Sequence, residues 1–282
     1  MTERELIRAR LLDETLTERA SPARMYDYYL GGIFNFDVDR RAADDAVAIH
    51  ADIPLIAKAN RAFLGRAVQQ LCQRGIDQFL DLGSGIPTVG NVHEIAQTYT
   101  PDARVVYIDI DPVAVLHSID LLDVNPNATC IQADIRHIEA ILDHPEVIKL
   151  LDFSRPIAIL LVAVLQFITN NEEVGHIFNV LRRILTPGSY VVVSHPAFPE
   201  LPLNQVDQIK HNETAELYAK SATALTVRSE EQIAQFFTQM RFIPPGLVYV
   251  PAWNRDHDDT PFADNPKRSA IMGGVAMVER RK

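Results

Sequence analysis

Cysteine is nearly absent from this chain: Cys72 and Cys130 are the only two in 282 residues. Neither has a partner at the spacing of a metal site or a redox pair. Both read as small buried hydrophobes, Cys72 in a helical pattern and Cys130 near a strand end. The histidines also lack metal-like spacing, so no metal ligand set is expected. Lys and Arg total 27 against 37 Asp and Glu, a net charge of −10. Phosphate binding needs clustered basic residues, so no nucleic-acid partner is expected. Long apolar runs are missing as well. The longest, Ile157 to Leu165, is too short to cross a bilayer. The start, Met1-Thr2-Glu3-Arg4-Glu5, is charged and carries no apolar signal core. These absences predict a soluble, cytoplasmic protein with no membrane partner. No internal repeat is visible.

What is present is apolar residue content, 47%, ample for one large core or one domain plus a small extension. The first 20 residues are charged and weakly periodic, and read as an arm or a peripheral helix. Ser21-Pro22 has the form of an N-cap with Pro at the first helical position, and Gly31-Gly32 stops that helix. Further helices are predicted over 37–49 and 56–74. The pattern then alternates strand with helix. Strands fall at 78–82, 104–108, 129–132, 157–164 and 189–194, and helices at 91–99, 113–122, 138–142 and 172–185. This order predicts an α/β fold with a doubly wound parallel sheet. A Pro-rich loop (195–203), a helix (212–221) and a capping-box helix from Ser229 follow. Strands at 247–250 and 271–278 suggest a C-terminal antiparallel hairpin at the sheet edge. Residues 1–75 read as an N-terminal helical extension or lid, and 76–282 as the main domain.

The segment Phe79-Leu80-Asp81-Leu82-Gly83-Ser84-Gly85, with Gly90 beyond it, joins a strand to a helix. Glycine there permits positive φ and close backbone approach to a ligand. A glycine loop by itself fits a plain strand-to-helix turn equally well. Three acids separate the readings. Asp81 precedes Gly83, where a diphosphate would be repelled but a ligand with an amino group and a sulfonium would be favoured. Asp109 ends the next strand, where it can accept from both ribose hydroxyls. Such charge-assisted bonds contribute about 1.5–3 kcal/mol each. Asp134 follows the strand after that and can accept from an adenine amino group, with the next N–H donating to the ring. Alone, Asp109 or Asp134 reads as a turn acid or helix cap; in order, the three read as a nucleoside site. S-adenosylmethionine (SAM) fits all three. An NAD-type dehydrogenase fits the Gly90 to Asp109 spacing but not Asp81.

These segments resemble the class I SAM-dependent methyltransferases. More narrowly, the chain resembles the actinobacterial S-adenosyl methyltransferase family, once described as a domain of unknown function. The resemblance rests on Ser21-Pro-Ala-Arg-Met-Tyr-Asp-Tyr-Tyr-Leu-Gly-Gly, Ala59-Asn-Arg-Ala-Phe-Leu, Gln78-Phe-Leu-Asp-Leu-Gly-Ser-Gly-Ile-Pro-Thr, Asn91-Val-His-Glu, Val105-Val-Tyr-Ile-Asp-Ile-Asp-Pro-Val-Ala-Val and Pro244-Pro-Gly-Leu-Val. It implies a Rossmann-like, seven-stranded, mostly parallel sheet with a reversed last strand. It also carries the ribose role onto Asp109, the adenine role onto Asp134 and the methionine side onto Asp81 to Gly85. Pro87 departs from the general pattern, which often has a third glycine there.

The candidate cofactor-binding set is Met25, Tyr28, Asn35, Arg61, Asp81, Gly83, Ser84, Gly85, Asp109, Ile110, Asp134, Ile135, Ala163 and Val164. Met25, Tyr28, Tyr29, Phe34 and Phe36 crowd an aromatic segment that could hold a sulfonium by cation–π contact, or simply pack on the core. Arg61 could grip the cofactor carboxylate or be an ordinary exposed helix residue. After the central strand stands Ala163-Val164-Leu165-Gln166-Phe167, without the Asn/Asp-Pro-Pro motif of some amine methyltransferases. A small-molecule methyl acceptor is therefore expected. His195 could act as a base beside the pocket or be a satisfied histidine. With no clear base, a SAM-binding regulatory or scaffold protein is the alternative.

Overall fold

Strand β1 (Gln78–Leu82) is buried along its whole length, as a central strand covered on both faces must be. The computed structural model describes residues 18–87, 90–197, 213–214, 216–220, 222–255 and 260–279. Around β1 run β2 (Arg104–Asp109), β3 (Ala128–Gln132), β4 (Ala158–Val162) and β5 (Tyr190–Pro196), all parallel. Strand order is β3-β2-β1-β4-β5, so the winding reverses between β1 and β4. Reversal leaves a crevice outside the carboxyl ends of these strands, the usual ligand position in such sheets.

Strand β8 (Ile271–Val278) inserts antiparallel beside β5. Along its other edge lie β6 (Met240–Phe242) and β7 (Val248–Tyr249), with Phe242 opposite Ala276 and Val248 opposite Gly273. The expected C-terminal antiparallel pair is β7–β8. Segment β6 was not expected. It shares the seventh strand position with β7, so the sheet has eight assigned strands in seven places. The break falls at Pro244-Pro245, which have no N–H to give the ladder.

Before the sheet come α1 (Pro22–Tyr29), α2 (Asp37–Ile49) and α3 (Ile53–Gln73). Helix α3 starts three residues ahead of its apolar pattern because Pro54 suits a first helical turn. Between strands lie α4 (Val92–Tyr99), α5 (Pro112–Leu122), α6 (Ile138–Leu142), α7 (Pro145–Leu150), α8 (Asn171–Ile184) and, after β5, α9 (Glu230–Phe236). The short α7 was not expected: six residues are too few to show a helical period. Asn91 with Glu94 and Ser229 with Gln232 form capping boxes. The expected arm before residue 18, the loop from 198 and parts of the helix at 212–221 lie outside the described residues.

Side chains alternate across the sheet with period two. Leu80, Leu82, Val106, Ile108, Ile159 and Leu161 face α6, α7, α8 and α9. Phe79, Val105, Tyr107, Ala158 and Leu160 face α3, α4 and α5. At Gly273 a Cβ would lie 2.8 Å from Val250 Cγ1 and 2.9 Å from Phe63 Cζ, so glycine there lets α3 press Phe63 onto β8. Both cysteines are buried and unbonded to each other. Among the described residues no helix is long and apolar enough to cross a membrane.

The N-terminal helices have a smaller core of their own, built from Met25, Tyr29, Ala42, Ala43, Ala46 and Ala57. Its polar hub is Asp39, fully buried. Asp39 accepts from the Ser21 N–H at 2.9 Å, Arg24 Nε at 3.0 Å and the Phe36 N–H at 2.8 Å. Arg24 also stands 3.8 Å from Asp111, the residue that caps α5 after β2. One arginine thus ties α1 to α2 and to the sheet edge. Asp39→Ala removes the acceptor of one buried and two half-buried donors and leaves the buried Arg24 charge with Arg19 O at 2.7 Å but no carboxylate closer than Asp111. Chemical denaturation is expected to show a loss of about 3–5 kcal/mol. A loss under about 1 kcal/mol would contradict the hub.

Candidate functional site

The loop leaving β1 is fixed first by backbone. The Gly83 and Ser84 N–H groups both donate to Ile108 O, at 2.8 and 3.0 Å. Gly83 has φ +79°, and a Cβ built on it would lie 2.2 Å from Val164 Cγ2. Gly85 has φ +68° with open space where its side chain would be. From there its N–H donates to Asp109 Oδ2 at 2.7 Å, and Asp109 Oδ1 accepts from Asp111 N–H at 2.8 Å. The acid that ends β2 therefore shapes the glycine loop as well as facing the crevice. Each of its oxygens retains a lone pair for a further donor.

A cavity of about 520 Å³ follows the carboxyl edge of the sheet. Its lining includes Arg61, Asp81, Gly83, Ser84, Gly85, Asp109, Ile110, Asp134, Ile135, Ala163 and Val164, eleven of the sequence candidates. Met25, Tyr28 and Asn35 are not part of it. Met25 is fully buried in the core of the N-terminal helices. The Tyr28 hydroxyl donates to Asp44 at 3.0 Å. Asn35 Nδ2 donates to Asp27 Oδ2 at 2.8 Å and to Gly32 O at 3.0 Å. Gly32 lets that turn close tightly, since a Cβ there would lie 1.9 Å from Asp27 Oδ1. The aromatic side chains of α1 that do reach the cavity are Tyr26 and Tyr29. Together with Pro22 they form one helical stripe, and that phase was the available signal.

The two ends of the cavity differ in chemistry. Asp81 is 4% exposed, and burial pushes its carboxyl up to about 7, with Arg61 opposing and Asp109 reinforcing the rise. Burial also raises Asp109 to about 6, against the pull of the Asp111 and Gly85 N–H groups. Arg61 donates to Asn91 Oδ1 at 3.1 Å, yet its Nε is buried without a partner, as is Ser84 Oγ. Asp134 is partly buried, which favours its neutral form. Hydrogen bonds from the Arg136 side chain and N–H outweigh this and hold it below the usual carboxylate range. Beyond β1 the lining turns apolar, with Phe167, Ile168, Ala197, Leu225, Val227 and Ile271.

A buried hydrogen-bond chain crosses the middle of the site. Ala163, held at φ +54°, donates its N–H to Ser194 Oγ at 3.0 Å. Ser194 Oγ donates to Asn60 Oδ1 at 2.6 Å, Asn60 Nδ2 to the Tyr26 hydroxyl at 3.1 Å, and that hydroxyl to Ala57 O at 2.9 Å. Sequence reasoning missed Tyr26, Asn60 and Ser194, which come from three distant segments.

His195 lies in β5, fully buried and away from the cavity lining. Its Nδ1 stands 2.7 Å from Pro196 O and its Nε2 2.8 Å from Arg228. A carbonyl on one side and an arginine on the other fix a neutral ring with Nδ1–H donating. Burial lowers its pKa to about 4, with Arg228 adding to the fall. It is a satisfied structural histidine. No group of three or more His, Cys, Asp or Glu residues forms a metal cluster among the described residues.

The chain's likenesses agree with this geometry. The model of the S-adenosyl methyltransferase family matches residues 9–279. A candidate methyltransferase from Thermobifida fusca YX is 38% identical, with a TM-score of 0.85, over 93% of this chain and 96% of that one. A DUF574 family protein from Streptomyces avermitilis MA-4680 is 34% identical, with a TM-score of 0.84, over 93% of this chain and 98% of that one. No curated protein matches the sequence. The chain belongs to the S-adenosyl methyltransferase family, and its cofactor is SAM.

The contact of Gly83 with Val164 generates a test. Gly83→Ala adds a Cβ at positive φ and against Val164, and is expected to cost about 1–3 kcal/mol of stability and at least tenfold in SAM affinity. Val164→Ala, in the double variant, is expected to recover part of both losses. Thermal unfolding and calorimetry measure them; a double variant no better than Gly83→Ala would contradict the contact.

Proposed function

We propose that this protein transfers the methyl group of SAM to a small molecule held in the apolar half of the cavity. The observation that carries this reading is the single cavity with an acidic half under β1, β2 and β3 and an apolar half under β4, β5 and β8. The acidic half fits the cofactor. The unpartnered Arg61 Nε and Ser84 Oγ suit a carboxylate, and Asp81 suits the amino group beside it. Asp109 has lone pairs for ribose hydroxyls, and Asp134 with the Ile135 N–H suits adenine.

When bound, SAM supplies an electrophilic methyl on a sulfonium; an acceptor lone pair takes the carbon as the C–S bond breaks and its electrons return to sulfur. The chain's own task is alignment. Gly83 and Val164 place the two halves end to end, and holding reactants so can lower a barrier by about 7–11 kcal/mol in ideal cases. Tyr26 and Tyr29 bring two aromatic rings from α1 to the cavity wall. A concave cavity of about 520 Å³ suits a small acceptor better than a macromolecule.

One observation favours the alternative of SAM binding without transfer. His195, the one histidine singled out as a base, is neutral and off the cavity. Metabolite extracts incubated with methyl-labelled SAM separate the two readings. Labelled product is expected in some fraction; silence despite confirmed SAM binding would favour the regulatory reading.

The raised carboxyls predict a pH dependence. With folded values of about 7 for Asp81 and 6 for Asp109, the free protein holds protons that its unfolded chain has lost above about pH 4. Its stability therefore falls as pH rises across that window. A cation beside Asp81 favours the ionised form, so SAM binding has the opposite slope. Calorimetry is expected to show affinity roughly five- to tenfold weaker at pH 6 than at pH 7.5. Asp81→Asn should flatten most of that slope. An unchanged slope in the variant would remove Asp81 from the cofactor site.

A further inference from the structure

A residue lining the apolar half of the cavity carries a buried polar atom with nothing to bond. Gln166 sits in the single turn Leu165–Phe167 after β4 and is 7% exposed. Its Nε2 donates to Ala163 O at 2.7 Å, and its own carbonyl accepts from the Thr226 N–H at 2.8 Å. A carbonyl only accepts, so the contact with Ala163 fixes which end of the amide is nitrogen. The oxygen must point the other way, and there Oε1 is buried without a donor. Gln166 lines the cavity two residues past Val164, beside the junction of the two halves. An unmade bond at a buried oxygen is unfavourable, and a ligand N–H or O–H would complete it.

Among the described residues the surrounding wall is mainly apolar. Phe167, Leu225, Val227 and Ile271 are apolar, and His50 is its one imidazole. The Tyr29 and Tyr218 hydroxyls meet at 3.1 Å, and burial raises the pKa of both phenols. Among the described residues this half has no Asp, Glu, Lys or Arg. A charged acceptor would leave water for a surface whose described residues offer no carboxylate, ammonium or guanidinium to pair with it.

We propose that the acceptor is an uncharged, mainly apolar molecule whose methyl-accepting group carries an O–H or N–H that donates to Gln166 Oε1. This rests on the reading of the cavity as a SAM and acceptor site. Gln166 takes no proton; it orients the attacking atom so that its lone pair faces the methyl position, and as the bond to carbon forms the acceptor's O–H or N–H proton is released to water at the mouth of the cavity. A group lacking the hydrogen leaves Oε1 unpaired and is rejected for that reason.

The test uses the full chain saturated with S-adenosylhomocysteine (SAH) and three fluorescent probes: 2-naphthol, 2-methoxynaphthalene and 2-naphthoate. Wild type is expected to bind 2-naphthol at least about tenfold more tightly than either of the others. Gln166→Leu is expected to cut the preference over 2-methoxynaphthalene to about twofold or less. SAH affinity in the variant checks its fold, and Gln166→Met, which keeps the side-chain length, repeats the comparison if that check fails. Equal or tighter binding of 2-naphthoate or 2-methoxynaphthalene by wild type overturns the proposal. So does an absence of 2-naphthol binding beside intact SAH binding, or an unchanged preference in a folded variant. Failure of wild type to bind SAH overturns the underlying reading instead.

Discussion

Val164 occupies the space that a side chain on Gly83 would need, and the rest of the site is arranged around that contact. It brings the loop after β1 against the loop after β4, the two strands between which the sheet reverses. Ile108 O grips the first loop through two N–H groups, and Ser194 grips the second through Ala163. Neither loop can shift without breaking buried backbone bonds. On the reading proposed above, this rigid seam is where sulfur meets acceptor. The acids then lie on one side of it and the apolar wall on the other as a consequence of strand order.

Two further sets of buried polar contacts hold the N-terminal helices in register with that seam. Asp39, in α2, gathers donors from α1 and from the residues just before α1 and α2. The chain from Ala163 through Ser194 and Asn60 to Tyr26 joins α3 and α1 to the ends of β4 and β5. Each neutral bond adds only about 0.5–1.5 kcal/mol net, while leaving its partners buried and unpaired costs about 1–3 kcal/mol. Such contacts therefore define one position for these helices more than they stabilise them. The helices α1 and α3 thereby supply part of the cavity wall beside the seam. Burial of the free acids is the main cause raising Asp81 and Asp109.

Much of this was legible in the sequence where the signal is local. Apolar runs located β1, β2, β4 and β8, and each run is buried on both faces. Asp81, Asp109 and Asp134 could be found because a strand's end is visible as the place where its apolar run stops, and all three line one cavity. Segment β6 was hidden because three residues with Arg241 in the middle carry no pattern of their own; it exists through pairing with β8. Met25 and Tyr28 were chosen by residue type, but the phase of α1 turns Tyr26 and Tyr29 toward the cavity. Gln166 and Ser194 were invisible for a different reason. Their meaning lies in which partners they have or lack, and those partners sit in other elements.

The most direct test of the two-sided cavity is a crystal structure with SAH bound. The account predicts adenosine over Asp109 and Asp134, the amino acid end beside Asp81 and Arg61, and the sulfur at the Gly83–Val164 seam, open toward Gln166. Adenosine in the apolar half, or a sulfur turned away from that half, would contradict it.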